Sequence, residues 1–228
     1  MKPAKPASKK IRAKKRGVAM RREMRTRLRE LIDRRSLKII PSGDEPMTLT
    51  TGALTRFYFD CKALTLDGEG LSLVADAFIE AMQKLPERPR AIGGLTMGAD
   101  FITAAVAMKT YEKGLASVSG SIDRKEPKKH GTMKKIENEL PPGTPIVVID
   151  DVITTGNSTR LACKEFRAAG YRIIGIIALI DREEADGKVS LEKEFGPVIA
   201  LFKRSDFPRA VQADEPLRAD KGRFAAAA

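Results

Sequence analysis

The sequence predicts an α/β fold in which a central parallel β-sheet is flanked by helices. Apolar strand segments alternate with helical segments, and the segments 146–150 and 172–181 are apolar along almost their whole length. Strands that are buried on both faces have continuous apolar runs, which is typical of parallel sheets covered by helices. The 228 residues are 42% hydrophobic and 32% charged, which indicates one globular domain with extensions.

The first 38 residues carry the positive charge of the chain. They hold sixteen Lys and Arg against three acids, whereas the remainder has a net charge of −1. Residues 1–17 combine Pro, Ala and dense like charge, which predicts a disordered basic arm that binds polyanions weakly. From Val18 to Leu37, apolar residues at three- and four-residue steps predict a helix that packs on the body.

Strand and helix segments follow one another along the rest of the chain. We predict strands at 57–61, 91–95, 116–120, 146–150, 172–181 and 198–202, and helices at 71–85, 100–113 and 157–169. The polar segment 123–139 carries seven basic residues and has no apolar period, which predicts a long, functional loop. The domain is expected to span 18–207, and the weakly patterned residues 208–228 to form a weakly ordered tail.

Cysteine and histidine content excludes several classes of protein. Cys61 and Cys163 lie far apart, and His130 is the only histidine. A disulfide framework and a Cys/His zinc site are therefore not expected, and a reducing cytoplasmic location is favoured. No apolar run approaches the length of a membrane span.

The most informative motif is IVVIDDVITTGNST at 146–159, an apolar strand followed by two carboxylates, a turn and a helix start. Ligands of open parallel sheets bind beyond the carboxyl ends of strands, where a helix N-terminus offers free N–H groups. Asp150 and Asp151 are acceptors suited to the vicinal hydroxyls of a sugar. The donors suited to a phosphate monoester are Thr154, Thr155, Asn157, Ser158 and Thr159.

This motif resembles the 5-phosphoribosyl 1-pyrophosphate (PRPP) motif of the type I phosphoribosyltransferases. The segments FYFDCKALTLDGEG, AIGGLTMGAD, RKEPKKHGT and ALIDREE extend the resemblance to the orotate phosphoribosyltransferases, over about residues 47–204. The resemblance implies the type I fold with a small N-terminal hood, and transfer of phosphoribose from PRPP to orotate in pyrimidine biosynthesis. It also implies Mg²⁺ held through PRPP rather than by direct protein ligands, and a homodimer whose loop reaches the neighbouring active site.

The resemblance assigns roles to individual residues. Lys128, Asp150 and Asp151 are implied to be catalytic, and Gly94–Asp100 to form the turn that contacts pyrophosphate. The implied PRPP-binding residues are Arg124, Lys125, Lys128, His130, Asp150, Asp151, Val152, Ile153, Thr154, Thr155, Gly156, Asn157 and Ser158. The implied orotate-binding residues are Tyr58, Phe59, Thr154 and Arg182, and a guanidinium can grip a carboxylate through two bonds.

Many members of the family carry a lysine two residues before the glycine aligned with Gly52 and basic residues just after it, whereas this chain has Thr50, Ala53 and Leu54 at those places. Two alternatives to an orotate enzyme follow. The first is a phosphoribosyltransferase for another base, which would not need Arg182. The second is a regulator that keeps the PRPP fold and binds nucleic acid through the basic arm. The cationic loop favours an enzyme over a regulator, because binding without turnover needs no such loop.

Overall fold

The computed structural model describes residues 7–49, 52–126 and 135–214, with side chains from Gly17 onward. Its helices are α1 (Ala7–Leu31), α2 (Lys62–Thr65), α3 (Gly68–Met82), α4 (Asp100–Glu112), α5 (Asn157–Ala168) and α6 (Gly187–Phe195), with a π-turn at Ile32–Ser36 and a 3-10 turn at Arg204–Asp206. Its strands are β1 (Leu37–Ile39), β2 (Met47–Thr48), β3 (Leu54–Thr55), β4 (Phe57–Phe59), β5 (Ala91–Leu95), β6 (Ser119–Asp123), β7 (Ile136–Glu137), β8 (Pro145–Ile153), β9 (Arg172–Asp181) and β10 (Val198–Lys203).

The central sheet has six strands in the order β10-β9-β8-β5-β6-β7. Five of them are parallel, and β7 pairs antiparallel with β6. The chain order reverses between β5 and β8, so that later strands extend to one side and β6 and β7 to the other. In such sheets a crevice opens at the carboxyl ends of the two strands that flank the reversal.

Apolar side chains cover both faces of this sheet. Along β8, Val147 and Ile149 belong to one buried cluster with α3 and α4, whereas Val148 belongs to the other cluster with Phe166 of α5. Alternate residues of one strand thus bury on opposite faces. The predicted parallel sheet with helices on both faces is confirmed.

Four short strands form a separate layer at the N-terminal side, which we call the hood. β1 pairs with β4, and β2 with β3, both antiparallel. Phe57 and Phe59 of β4 are buried, and Phe59 meets Phe207 edge-to-face with ring centroids 5.3 Å apart. The hood is therefore fixed to the body by aromatic packing.

Helix α1 begins at Ala7, whereas residues 1–17 were expected to form a disordered arm. The part of that prediction that covers 7–17 is wrong, because Ala, Lys and Arg are strong helix formers and a helix propagates readily from an existing turn. The segment that is anchored to the body is the one in which Leu28, Leu31 and Ile32 are buried. Residues 1–6 lie outside the described part.

Residues 208–214 also differ from the prediction of a weakly ordered tail, whereas 215–228 lie outside the described residues. Residues 208–214 are helical, and we call them the terminal helix. Ala210 and Asp214 are buried, and Arg209 donates to the backbone oxygen of Asp33 at 3.0 Å. Long-range packing orders this stretch, which a local sequence pattern does not reveal.

Several element bounds differ from the sequence prediction. β8 continues through both carboxylates to Ile153, and β6 runs three residues later than expected. Helix α6 was not predicted. Asp67 was expected only to precede α3, and its carboxylate accepts the N–H of Gly70 at 2.9 Å, which caps that helix.

Both cysteines are free thiols buried in the protein. Burial raises the pKa of Cys163 to about 12, which makes it an unreactive apolar side chain. Among the described residues, no helix is both long enough and apolar enough to cross a membrane.

Candidate active site

The carboxyl ends of β5 and β8 bring two backbone turns together at the point where strand order reverses. The turn after β8 leads into α5 through Gly156, whose φ of 76° places it in the left-handed region. Glycine adopts this conformation without steric cost. Asn157 and Ser158 at the start of α5 are exposed, so the N-terminus of a 12-residue helix faces the crevice. This turn can hold a phosphate by its backbone N–H groups.

Asp150 and Asp151 lie at the end of β8, half-buried and adjacent. The hydroxyl of Thr159 donates to Asp150 at 2.6 Å, and the Asp151 N–H donates to it at 3.0 Å. Burial and the neighbouring charge of Asp151 raise the pKa of Asp150. Thr159 is only 1% exposed, so the expectation that it offers a donor to a phosphate is wrong: its hydroxyl is directed to Asp150 instead.

The turn after β5 lies against these carboxylates. A Cβ added to Gly98 would lie 2.7 Å from Oδ1 of Asp151, which shows how closely the two backbones approach. Thr96 donates from Oγ1 to Asp100 at 2.6 Å, and the peptide bond between Thr96 and Met97 is cis. Because residue 98 is a glycine, the turn can lie directly against the carboxylate of Asp151.

The cationic loop leaves the sheet beside this turn. Arg124 donates its backbone N–H to Lys135 at 2.9 Å, and its side chain pairs with Glu137 at 2.9 Å, so the two loop ends are joined at the base. The exposed Lys125 lines a cleft of about 550 Å³ that also reaches Thr96. Two of the loop's predicted site residues, Lys128 and His130, lie outside the described residues.

Residues that follow β4 also approach the carboxylate pair. Burial, and then the charge of Asp151, raise the pKa of the Cys61 thiol. The Lys62 ammonium lies 3.2 Å from Asp60, and this bond raises the pKa of Lys62, with Asp151 contributing. Lys62, the first residue of α2, is therefore held by Asp60 and lies within electrostatic reach of Asp151.

Arg182 follows β9 and donates its backbone N–H to Ile153 at 2.9 Å, which places it beside the end of β8. Its side chain is only 2% exposed. Glu184 accepts from Nε at 3.1 Å and from Nη2 at 3.2 Å, and the guanidinium stacks 4.2 Å from the ring centroid of Phe57. The Nε and Nη2 edge of the guanidinium therefore already binds Glu184. The sequence had suggested a guanidinium that is free to bind a ligand carboxylate through two bonds.

Comparison with known proteins agrees with this geometry. Residues 65–203 match the model of the phosphoribosyl transferase domain. The chain is 42% identical to an orotate phosphoribosyltransferase of Aquifex aeolicus, covering 80% of this chain and 96% of that protein, and 39% identical to one of Leptospira biflexa, covering 72% and 89%. The chain belongs to the orotate phosphoribosyltransferase family. The resemblance noted in the sequence is confirmed.

A solved orotate phosphoribosyltransferase from Mycobacterium tuberculosis H37Rv has the same fold. It superposes with a TM-score of 0.66 at 25% identity, covering 80% of this chain and 98% of that one. The type I phosphoribosyltransferase fold is therefore confirmed.

In this member of the orotate phosphoribosyltransferase family, the structure brings the predicted residues of the turn after β8 to one crevice. Asp150, Asp151 and the turn from Thr154 to Ser158 share it with Gly98. Val152 and Ile153 are strand residues, of which Ile153 is fully buried and available only through its backbone.

Of the two predicted aromatics, one has an exposed side chain and the other a buried one. Tyr58 is 41% exposed, whereas Phe59 is 2% exposed and packs in the core. Successive strand residues point to opposite faces, so the two cannot both face a ligand. The Phe59 side chain therefore does not face a ligand, and a contact between Phe59 and orotate stays a prediction for its backbone alone.

Proposed function

We propose that the protein transfers the phosphoribosyl group of PRPP to orotate, giving orotidine 5′-phosphate and pyrophosphate in pyrimidine biosynthesis. The observation that carries this proposal is the meeting of Asp150 and Asp151, the α5 N-terminus and the Gly98 turn at one switch point. These groups suit ribose hydroxyls, a 5-phosphate and a pyrophosphate, respectively. The family relatives, named for orotate, favour that base over the alternatives.

The catalytic task is electrostatic. Positive charge develops on the sugar while negative charge develops on the departing pyrophosphate, so cations and backbone N–H groups must meet that leaving group. We assign this role to Lys128 together with Arg124, Lys125 and His130, and ribose binding to Asp150 and Asp151. Thr159 holds the Asp150 carboxylate in place through its 2.6 Å bond.

Arg182 and Thr154 form the proposed orotate side of the site, with Tyr58 beside the base. Because Glu184 holds the Nε and Nη2 edge of Arg182, orotate would approach the guanidinium from the Nη1 side. The carboxylate of orotate would then bind an Arg182 guanidinium that is already held in a fixed orientation.

Mg²⁺ is proposed to enter with PRPP. No group of three or more His, Cys, Asp or Glu that could hold a metal ion converges among the described residues. Mg²⁺ prefers oxygen ligands and keeps several waters, which suits an ion that would be held through the phosphates of PRPP rather than by direct protein ligands. When bound, the ion would neutralise charge on the pyrophosphate.

The deciding experiment measures the loss of orotate absorbance with PRPP and Mg²⁺, beside a panel of other bases. We expect turnover of orotate only when both PRPP and Mg²⁺ are present. Equal turnover of hypoxanthine or uracil, with none of orotate, would assign the protein to another base. Absence of any turnover together with PRPP binding would favour the regulator.

We also propose a cytoplasmic homodimer in which the loop of one subunit serves the neighbouring site. The basic start of the chain is proposed to retain polyanions weakly. Deletion of 1–17 should leave orotate turnover unchanged and abolish low-salt retention on RNA, since such retention is mostly counterion release. The matched control replaces the lysines of that segment by Gln, which keeps helix propensity and removes charge. Tight, salt-resistant binding of one particular nucleic acid would contradict this proposal.

A further inference from the structure

The buried Arg182 is held by a chain of contacts that ends in the terminal helix. Its Nη2 donates to Oγ1 of Thr55 in hood strand β3 at 3.2 Å. Thr55, 1% exposed, contacts Asp214 through the same oxygen at 3.3 Å. Asp214 lies 159 positions later in the sequence than Thr55 and is itself 6% exposed.

Asp214 makes two further contacts. Its Oδ1 accepts the backbone N–H of Arg56 at 3.0 Å, and its Oδ2 lies 3.7 Å from Nη1 of the buried Arg204. One carboxylate thus ties strand β3 to a cation of the body. The groups that these contacts bring to the carboxylate of Asp214 are all donors.

The direction of the Thr55 hydroxyl follows from the chemistry of its neighbours. A hydroxyl has one proton to donate, and a carboxylate accepts it more strongly than the Phe57 backbone oxygen at 3.3 Å. With the proton directed to Asp214, the lone pairs of Thr55 face the N–H of Phe57 at 3.4 Å and the Nη2 of Arg182. The carboxylate therefore sets the orientation of the hydroxyl that receives the guanidinium.

We propose that Asp214 and Thr55 are positioning residues for the orotate side of the site, with Asp214 acting through the hydroxyl of Thr55 on Arg182. This inference rests on the proposed role of Arg182 in binding orotate. Glu184 fixes one edge of the guanidinium and Phe57 its face, and Thr55 adds a third restraint from the hood. A guanidinium held on three sides loses little freedom when it binds a substrate carboxylate.

The test compares Thr55→Val with Thr55→Ser. Valine keeps the shape and removes the hydroxyl, and we expect the KM for orotate to rise about tenfold while kcat and the KM for PRPP change less than twofold. Serine keeps the hydroxyl and should restore most of the orotate affinity. Asp214→Asn should raise the KM for orotate similarly, and the double variant with Thr55→Val should be no worse than either single change.

Arg209→Ala is the matched control for loosening of the terminal helix. It removes the surface bonds to Asp33 without touching Thr55, and we expect unchanged KM values. Hydrogen exchange gives a readout that does not need turnover: the Arg56 amide should lose part of its protection in Asp214→Asn, because an amide oxygen accepts more weakly than a carboxylate, and should keep it in Thr55→Val. If Asp214→Asn does not fold, Thr55→Val carries the test, because it leaves the Asp214 bonds to Arg56 and Arg204 in place.

Three results would overturn the proposal. One is an equal rise in the KM for orotate in Thr55→Val and Thr55→Ser. Another is an equal rise in both KM values in Asp214→Asn, and the third is unchanged protection of the Arg56 amide in that variant. Lack of orotate turnover by the unaltered protein would instead refute the proposed function, while exchange at Arg56 would still report whether Asp214 holds strand β3.

Discussion

Asp123 is a buried carboxylate at the base of the cationic loop. It ends β6 directly before Arg124, its side chain is fully buried, and neither carboxylate oxygen has a hydrogen-bond partner among the described residues. The Lys135 ammonium lies 4.0 Å away and is also paired with Glu165 at 2.5 Å. Burial outweighs the attraction of Lys135 and raises the pKa of Asp123 from 3.8 to about 6.

The substitution Asp123→Asn removes the ionisation and keeps the size of the side chain. In the native protein this carboxyl ionises near pH 6, but in the unfolded chain near 3.8, so the unfolded state loses its proton first and stability falls as the pH rises. The full cost is about 3 kcal/mol above pH 7, of which about 1.4 kcal/mol develops between pH 5 and pH 8. The free energy of unfolding of the Asp123→Asn variant has no such pH-dependent loss, because an amide does not ionise. Burying the unpaired amide does destabilise the variant, but by the same amount at every pH.

Urea unfolding of both proteins at pH 5 and pH 8, at one protein concentration, measures the effect. The free energy of unfolding of the variant relative to the unaltered protein should increase by about 1.4 kcal/mol between the two values. Glu192→Gln, which removes a half-exposed carboxylate from α6, is the control and should change by less than about 0.5 kcal/mol. A constant or decreasing difference for Asp123→Asn would mean that Lys135 keeps the carboxylate ionised, and would refute the reasoning.

Three further predictions concern the crevice. Gly98→Ala places a methyl group 2.7 Å from Asp151, so the KM for PRPP should rise about tenfold or more, while Gly68→Ala, which has open space around it, should leave the kinetics unchanged. Asp151→Asn should weaken PRPP use without changing the melting temperature, because an amide accepts fewer hydrogen bonds from ribose hydroxyls; unchanged kinetics with a collapsed melting temperature would make the carboxylate structural. Lys128→Ala should lower kcat roughly 100-fold, and mixing it with inactive Asp151→Asn subunits should regenerate activity if the loop serves the neighbouring site. Failure despite verified subunit exchange would place both groups in one chain.

The sequence by itself determined the parallel sheet, the carboxylate pair and the turn into α5. Each of these is encoded by neighbouring residues: an apolar run of eight residues in β9, two adjacent acids, and a glycine before a helix. Local periodicity and short motifs carry such information because the geometry they dictate spans only a few residues. The family resemblance rested on motifs of this kind.

Tertiary structure decided how those groups are used. Only packing shows that Phe59 lies in the core, that Thr159 holds Asp150, and that Arg182 is engaged by Glu184 beneath the hood. The contact between Thr55 and Asp214 joins residues 159 positions apart. Such contacts depend on how separate elements dock against one another, and no local pattern in the chain specifies that docking, because each partner alone is an ordinary polar residue in a loop, strand or helix.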